Sequence, residues 1–164
     1  MTEKEERELR LDRMRFTKNK ASAGLALLAI VFDVCFFISL YESDVGSYYY
    51  NILIGASILY NLVFMLAAFL CSEGVKNYKI GYAYLMTALG LGQVARIFIF
   101  PMRAHAAVVT VQEVSTAVMS DAQFVRTVVF LSISAACLLL GAAIAVVRSR
   151  ALAAHVASLD SHAA

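Results

Sequence analysis

Residues 80–100 read IGYAYLMTALGLGQVARIFIF, and Pro101 follows. Only Gln93 and Arg96 interrupt the apolar run. About 20 such residues in a helix rise roughly 30 Å, the thickness of a bilayer's hydrocarbon core. A helix is suited to that crossing because it satisfies its own backbone hydrogen bonds where no water is at hand. Arg96 then sits about five residues, roughly 7.5 Å of rise, inside the end that Pro101 marks. A cation at that depth costs about 2.5–3.5 kcal/mol unless it snorkels to the interface or meets a partner.

The first apolar stretch supplies a partner. Asp33 lies near the middle of residues 23–41, AGLALLAIVFDVCFFISLY. It precedes Tyr41 by eight residues, about 12 Å of rise, and an arginine side chain is long enough to bridge the difference in depth. Gln93 lies three residues before Arg96, on the same helical face. Asn61 falls near the centre of the second apolar stretch. Asp33, Asn61, Gln93 and Arg96 are therefore the candidate intramembrane polar cluster. Two uses compete for it: a path for an ion or polar solute, and a satisfied network that fixes helix pairing. One acid and one base favour the network, because proton and ion pathways use longer chains of carboxylates.

Composition points to the same class. Of 164 residues 61% are hydrophobic, mean hydropathy is +0.73, and the excess is gathered into four blocks. Soluble domains run at about 45–50% apolar. Fourteen Lys and Arg stand against twelve Asp and Glu, a net charge of +2 that gives no reason to expect nucleic-acid binding. The spans are expected at about 21–41, 50–71, 80–100 and 127–147. They make an all-α integral membrane protein, an up-down-up-down bundle of four transmembrane helices over 21–148. A charged N-terminal segment, 1–20, and a weakly helical, loose tail, 149–164, flank it.

Charge along the chain sets the expected orientation. Arg13, Arg15, Lys18 and Lys20 precede the first span, Lys76 and Lys79 flank the 72–79 connection, and Arg148 and Arg150 close the last span. The 42–47 turn carries Glu42 and Asp44 and no cation. By the positive-inside rule both termini are cytoplasmic. Arg103 and Arg126 run against the rule but are outnumbered. Tyr48, Tyr49 and Tyr50 on one side and Tyr78, Tyr82 and Tyr84 on the other fit aromatic belts. The first 20 residues are too long and too charged for a signal peptide, and no cleavage site follows. A bacterial cytoplasmic membrane is the expected location.

Residues 101–126 are the one long connection. Val108, Val109, Val111, Val114 and Val118 give a partly amphipathic pattern, which predicts a short interfacial helix between helices 3 and 4 on the outer surface. Ser120 and Asp121 can cap the helix that follows. In the last span Cys137, Gly141 and Ala145 recur every four residues, and Ala88 and Gly92 repeat the spacing in the third. Small residues at that interval let helices approach closely.

Chemistry beyond the cluster is sparse. Cys35, Cys71 and Cys137 form no CxxC pair and no zinc spacing. His105, Glu113 and Asp121 are eight and eight apart and share no helical face, so no metal site is expected. No GxSxG, P-loop or glycine-rich phosphate cradle is present, and neither a catalytic residue nor a cofactor is expected. The expected function is a non-enzymatic subunit, self-associating or accessory to a larger membrane transport or signalling complex, with the bilayer and either its own copies or that complex as partners. The alternative is a small oligomeric transporter or channel with Asp33 and Arg96 in its path.

Overall fold

The computed structural model describes residues 18–40, 52–111 and 114–163. Four helices are long and apolar enough to cross a membrane. In chain order the elements are α1 (Lys20–Leu40), α2 (Ile52–Lys76), α3 (Ile80–Ile99), α4 (Pro101–Ala106), β1 (Val108–Val111), β2 (Val114–Ala117) and α5 (Asp121–Ala163). Tyr48–Tyr50, the acidic 42–47 turn and Glu113 lie outside the described residues, as do residues 1–17.

Each boundary has a local cause. Asn19 caps α1, its Oδ1 accepting the Ser22 amide at 3.4 Å. At the end of α2 the Lys79 amide reaches the Gly74 carbonyl and the Tyr78 amide reaches Val75, both at 3.1 Å. This is a Schellman closure. Tyr78 takes its left-handed position, φ 58°, where glycine is usual. Gly74, one turn earlier, is required for a steric reason: a Cβ on it would collide with the ring of Tyr82 at the start of α3. Pro101 opens α4 at the first helical position, where its missing amide leaves nothing unsatisfied. Ser120 caps α5, with its Oγ accepting the Gln123 amide at 3.3 Å.

The valine-rich connection departs from expectation. A short helix does follow α3, but it stops at Ala106, and the valines form an antiparallel hairpin with Val108 opposite Ala117 and Val111 opposite Val114. β-branched side chains lose rotamer freedom in a helix and fit a pleated strand, and local preference outweighed the loose helical spacing. The last helix also differs: it begins at Asp121 rather than near 127 and runs 43 residues, about 65 Å, through the tail expected to be loose. Alanine-rich sequence without Gly or Pro after 141 gives it no reason to stop.

Cross-helix hydrogen bonds fix the pairing. Ser22 Oγ donates to Gly141 O at 2.6 Å and Ser134 Oγ to Ala29 O at 2.9 Å, so α1 and α5 run antiparallel. Ser72 Oγ donates to Ala23 O at 3.1 Å and the Asn19 amide to Lys76 O at 3.0 Å, which sets α2 antiparallel to α1. Such bonds average about 0.6 kcal/mol each in a bilayer, so they select register more than they supply stability. The core has two parts. One, built on small residues, joins Ala23, Ala26 and Ala29 of α1 to Phe64 and Ala68 of α2, Met86 of α3 and Leu138 of α5. The other gathers Phe36, Leu40, Ala104, Val118, Met119 and Leu131 where α4 and the hairpin return to the bundle.

Cys137, Gly141 and Ala145 face this interior, with Cys137 and Ala145 in the small-residue core. In α3 the small-residue pair is divided: Ala88 is exposed, Gly92 is half-buried where a Cβ would stand 3.4 Å from the Tyr60 hydroxyl of α2, and the fully buried glycine is Gly90, packed on Leu138 and Leu139. At the end of α1, Gln123 Nε2 donates to the Ser39 carbonyl at 2.9 Å and to that of Leu40 at 3.4 Å, satisfying terminal acceptors that have no helical partner. Gln123→Leu is expected to cost about 1 kcal/mol in a denaturant titration in micelles. No loss would mean that water serves those carbonyls equally well.

Candidate functional site

Three helices meet at one guanidinium. Arg96, 2% exposed, donates from Nη1 to Asp33 Oδ1 at 2.8 Å and from Nη2 to Asn61 Oδ1 at 2.6 Å. Gln93 Nε2 donates to the same Asp33 oxygen at 2.9 Å. Asp33 is 1% exposed, Gln93 fully buried and Asn61 5% exposed. All four candidate residues thus come together, Asp33 from α1, Asn61 from α2, Gln93 and Arg96 from α3.

Aromatic faces enclose the cation. The guanidinium carbon lies 4.5 Å from the ring centre of Phe36, 4.7 Å from that of Tyr60 and 5.6 Å from that of Phe100. A ring face presents partial negative charge, and desolvated contacts of this type reach about 2 kcal/mol. Arg96 is therefore held by an ion pair, an amide and aromatic faces rather than by snorkelling to the interface. No family model, curated protein or solved structure matches this chain. What the cluster does has to follow from its geometry.

Along the bundle axis the cluster lies between the two apolar cores, with Phe36, Leu40 and Leu131 on one side and Phe64, Ala26 and Met86 on the other. Sideways it borders a cavity of about 190 Å³ between α1 and α2, lined by Val34 and Phe37, by Ile58, Leu62 and Met65, and at the polar edge by Asp33 and Asn61. Its mouth opens laterally, past Val34, Ile58 and Leu62, which are 39%, 43% and 56% exposed.

The other candidate groups stay apart from this site. The described cysteines are all free, and Cys71 and Cys137 are buried. His105 stacks on Phe124 with ring centres 4.4 Å apart, and its Nε2 is 3.7 Å from Asp121 Oδ1. Among the described residues no group of three or more His, Cys, Asp or Glu is placed to hold a metal ion. Sequence reasoning missed the aromatic enclosure by Phe36, Tyr60 and Phe100. Phe36 follows Asp33 by three residues and Phe100 follows Arg96 by four, so each shares a helical face with its charge, and that spacing was the available signal. It also missed the interhelical roles of Ser22, Ser72, Ser134 and Gln123.

Proposed function

We propose that this chain is a non-enzymatic subunit of a membrane assembly, self-associating or accessory to a transport or signalling complex. In this reading its helices cross a bacterial cytoplasmic membrane up-down-up-down, with both termini inside and the 101–120 segment outside. One observation carries the reading: along the bundle axis the cluster is closed. Its two opposite charges neutralise each other, Asn61 and Gln93 hold them, and apolar side chains lie above and below along the axis. A solute path would need polar groups continuing toward both aqueous phases. The polar residues here instead tie α1, α2 and α3 together, which leaves the outward helix faces for interaction. The apolar outer face of α2, with Leu59, Val63, Leu66 and Phe69 all exposed, is available to lipid or to a neighbouring helix.

Reconstituted in lipid, the chain is expected to form a discrete assembly and to leave vesicles tight to protons and small ions. Ion flux that Asp33→Asn abolishes would overturn the reading in favour of an oligomeric transporter. Orientation has its own test. With Cys35, Cys71 and Cys137 replaced, an impermeant thiol reagent added outside should label Arg103→Cys and not Lys79→Cys, both positions being exposed. The opposite labelling pattern would reverse the topology.

A further inference from the structure

We propose that the end of the bundle where residues 18–20, 76–79 and 148–150 meet binds an anionic phospholipid, its phosphate group seated among exposed cations and its chains along the helices. This goes beyond the subunit reading and does not rest on it, since it holds whichever side of the membrane that end faces.

Hydrogen bonds bring the three segments to one level of the bundle axis. The Asn19 amide donates to Lys76 O at 3.0 Å, and Asn19 Oδ1 accepts from Arg148 Nη1 at 3.5 Å. Ser149 Oγ donates to Tyr78 O at 3.2 Å. Each segment carries two cations: Lys18 and Lys20, Lys76 and Lys79, Arg148 and Arg150. Among the described residues, Lys76 is the one of these six with a carboxylate partner, Glu73 at 2.8 Å. The other five are exposed, and six cations less the one acid leave this end at +5. The flanking sequence changes that balance little. Residues 1–17 hold five Lys and Arg against five Asp and Glu, and Asp160 comes ten residues after Arg150, about 15 Å of helical rise. The connections at the opposite end carry Arg103 and Arg126 against Glu42, Asp44, Glu113 and Asp121, a balance of −2. The positive charge is therefore gathered at one end.

What lies beside the cations decides the ligand. Ile80 follows Lys79 and Val147 precedes Arg148, and both apolar side chains are exposed. All four long helices are apolar enough to cross a bilayer, so the cations stand where the apolar runs end, at the level of lipid headgroups. A ligand for this surface joins an anion to hydrocarbon. A soluble anion leaves the apolar faces uncovered. A zwitterionic lipid brings a cation of its own to a surface that is already positive. An anionic phospholipid meets both requirements. Its phosphate oxygens accept charge-assisted hydrogen bonds from lysine and arginine, and the guanidinium of Arg150 can give two at once. The long stems of these side chains let their heads reach a phosphate while the backbone stays in place.

The test places the full chain in phosphatidylcholine bilayers with a trace of spin-labelled lipid, either phosphatidylglycerol or phosphatidylcholine carrying the same labelled chain. The fraction of label that the protein immobilises gives the relative affinity. Phosphatidylglycerol is expected to be preferred about fivefold, the worth of one cation at an anionic surface. Lys18→Gln, Lys20→Gln, Lys79→Gln and Arg150→Gln combined remove four exposed side chains that bond no other described residue. This variant should lower the ratio toward one while thermal unfolding is unchanged. Arg103→Gln, exposed at the opposite end, should leave the preference intact. Equal immobilisation of the two labels would overturn the proposal, and so would a preference that survives the fourfold variant. A preference abolished when inorganic phosphate replaces chloride at constant ionic strength would make this a soluble-anion site and overturn the assignment to lipid.

Discussion

Asp33→Leu and Arg96→Leu are each expected to destabilise the folded chain by about 3–5 kcal/mol, because each leaves the other charge buried and uncompensated. The double substitution is expected to lose clearly less than the sum of the two. It removes both charges, but the geometry prevents it from being neutral: Asn61 Oδ1 loses the Arg96 donor and Gln93 Nε2 loses the Asp33 acceptor. Two buried amides short of a partner cost about 1–3 kcal/mol each at most, less where they find one another. At the middle of these ranges, about 8 kcal/mol for the sum and about 4 kcal/mol for the double mutant, a coupling of about 4 kcal/mol separates the two, well outside the few tenths found for independent sites. Adding Asn61→Leu and Gln93→Leu should recover part of what remains. Unfolding in mixed micelles, followed by helical circular dichroism, measures all of these. Simple additivity of the two single mutants would show that the ion pair does not exist in the membrane.

This pair was legible in the sequence for a simple reason. Helical rise converts residue number into depth, and a charge in hydrocarbon has few ways to be satisfied. Rotation of each helix about its axis was harder to read. The spacing that singled out Ala88 and Gly92 is the four-residue row leading back from Arg96, yet it drifts along the rim of the buried face, where Ala88 is exposed and Gly92 is half-buried. The other buried residues of α3 are Gln93, Gly90, Met86 and Ala83, reached back from Arg96 by steps of three, three, four and three. The polar pair marked the inward face, and that mark outweighs a small-residue interval taken alone. In α5 the same interval lies on a buried face, where Cys137 and Ala145 share a core with the alanines of α1 and Gly141 packs near Ser22 and Leu25.

The connection between α3 and α5 failed for another reason. Its valines were weighed by spacing, while strand preference decided the outcome. The aromatic enclosure needed tertiary knowledge in part. Phe36 and Phe100 follow from spacing along their own helices, but Tyr60 reaches Arg96 only because α2 docks against α1 and α3. The cavity beside Asn61 is likewise a product of packing, which no periodicity encodes.

Gly141→Leu is the second change expected to have a large effect, and the structure locates its cause within one protomer. A Cβ at this position would collide with the terminal methyl of Met86 and stand 3.2 Å from Leu25 Cβ and 3.3 Å from the Ser22 carbonyl oxygen. The methionine methyl can move aside. The α1 backbone cannot do so without disturbing the Ser22 hydroxyl, which donates to Gly141 O at 2.6 Å. Overpacking of this kind costs about 1–3 kcal/mol, and separating α1 from α5 adds the roughly 0.6 kcal/mol of that hydrogen bond. Gly24→Leu on α1 is the matched control, because a Cβ there meets nothing within 4 Å. It exchanges glycine for a better helix former and should be neutral or stabilising by up to about 1 kcal/mol. The two variants make the same chemical change in the same bundle, so a gap of about 2–4 kcal/mol between them would isolate the contact itself. Equal stability would place Gly141 toward lipid. Loss of assembly size with unfolding unchanged would place the stripe between copies instead of between α1 and α5.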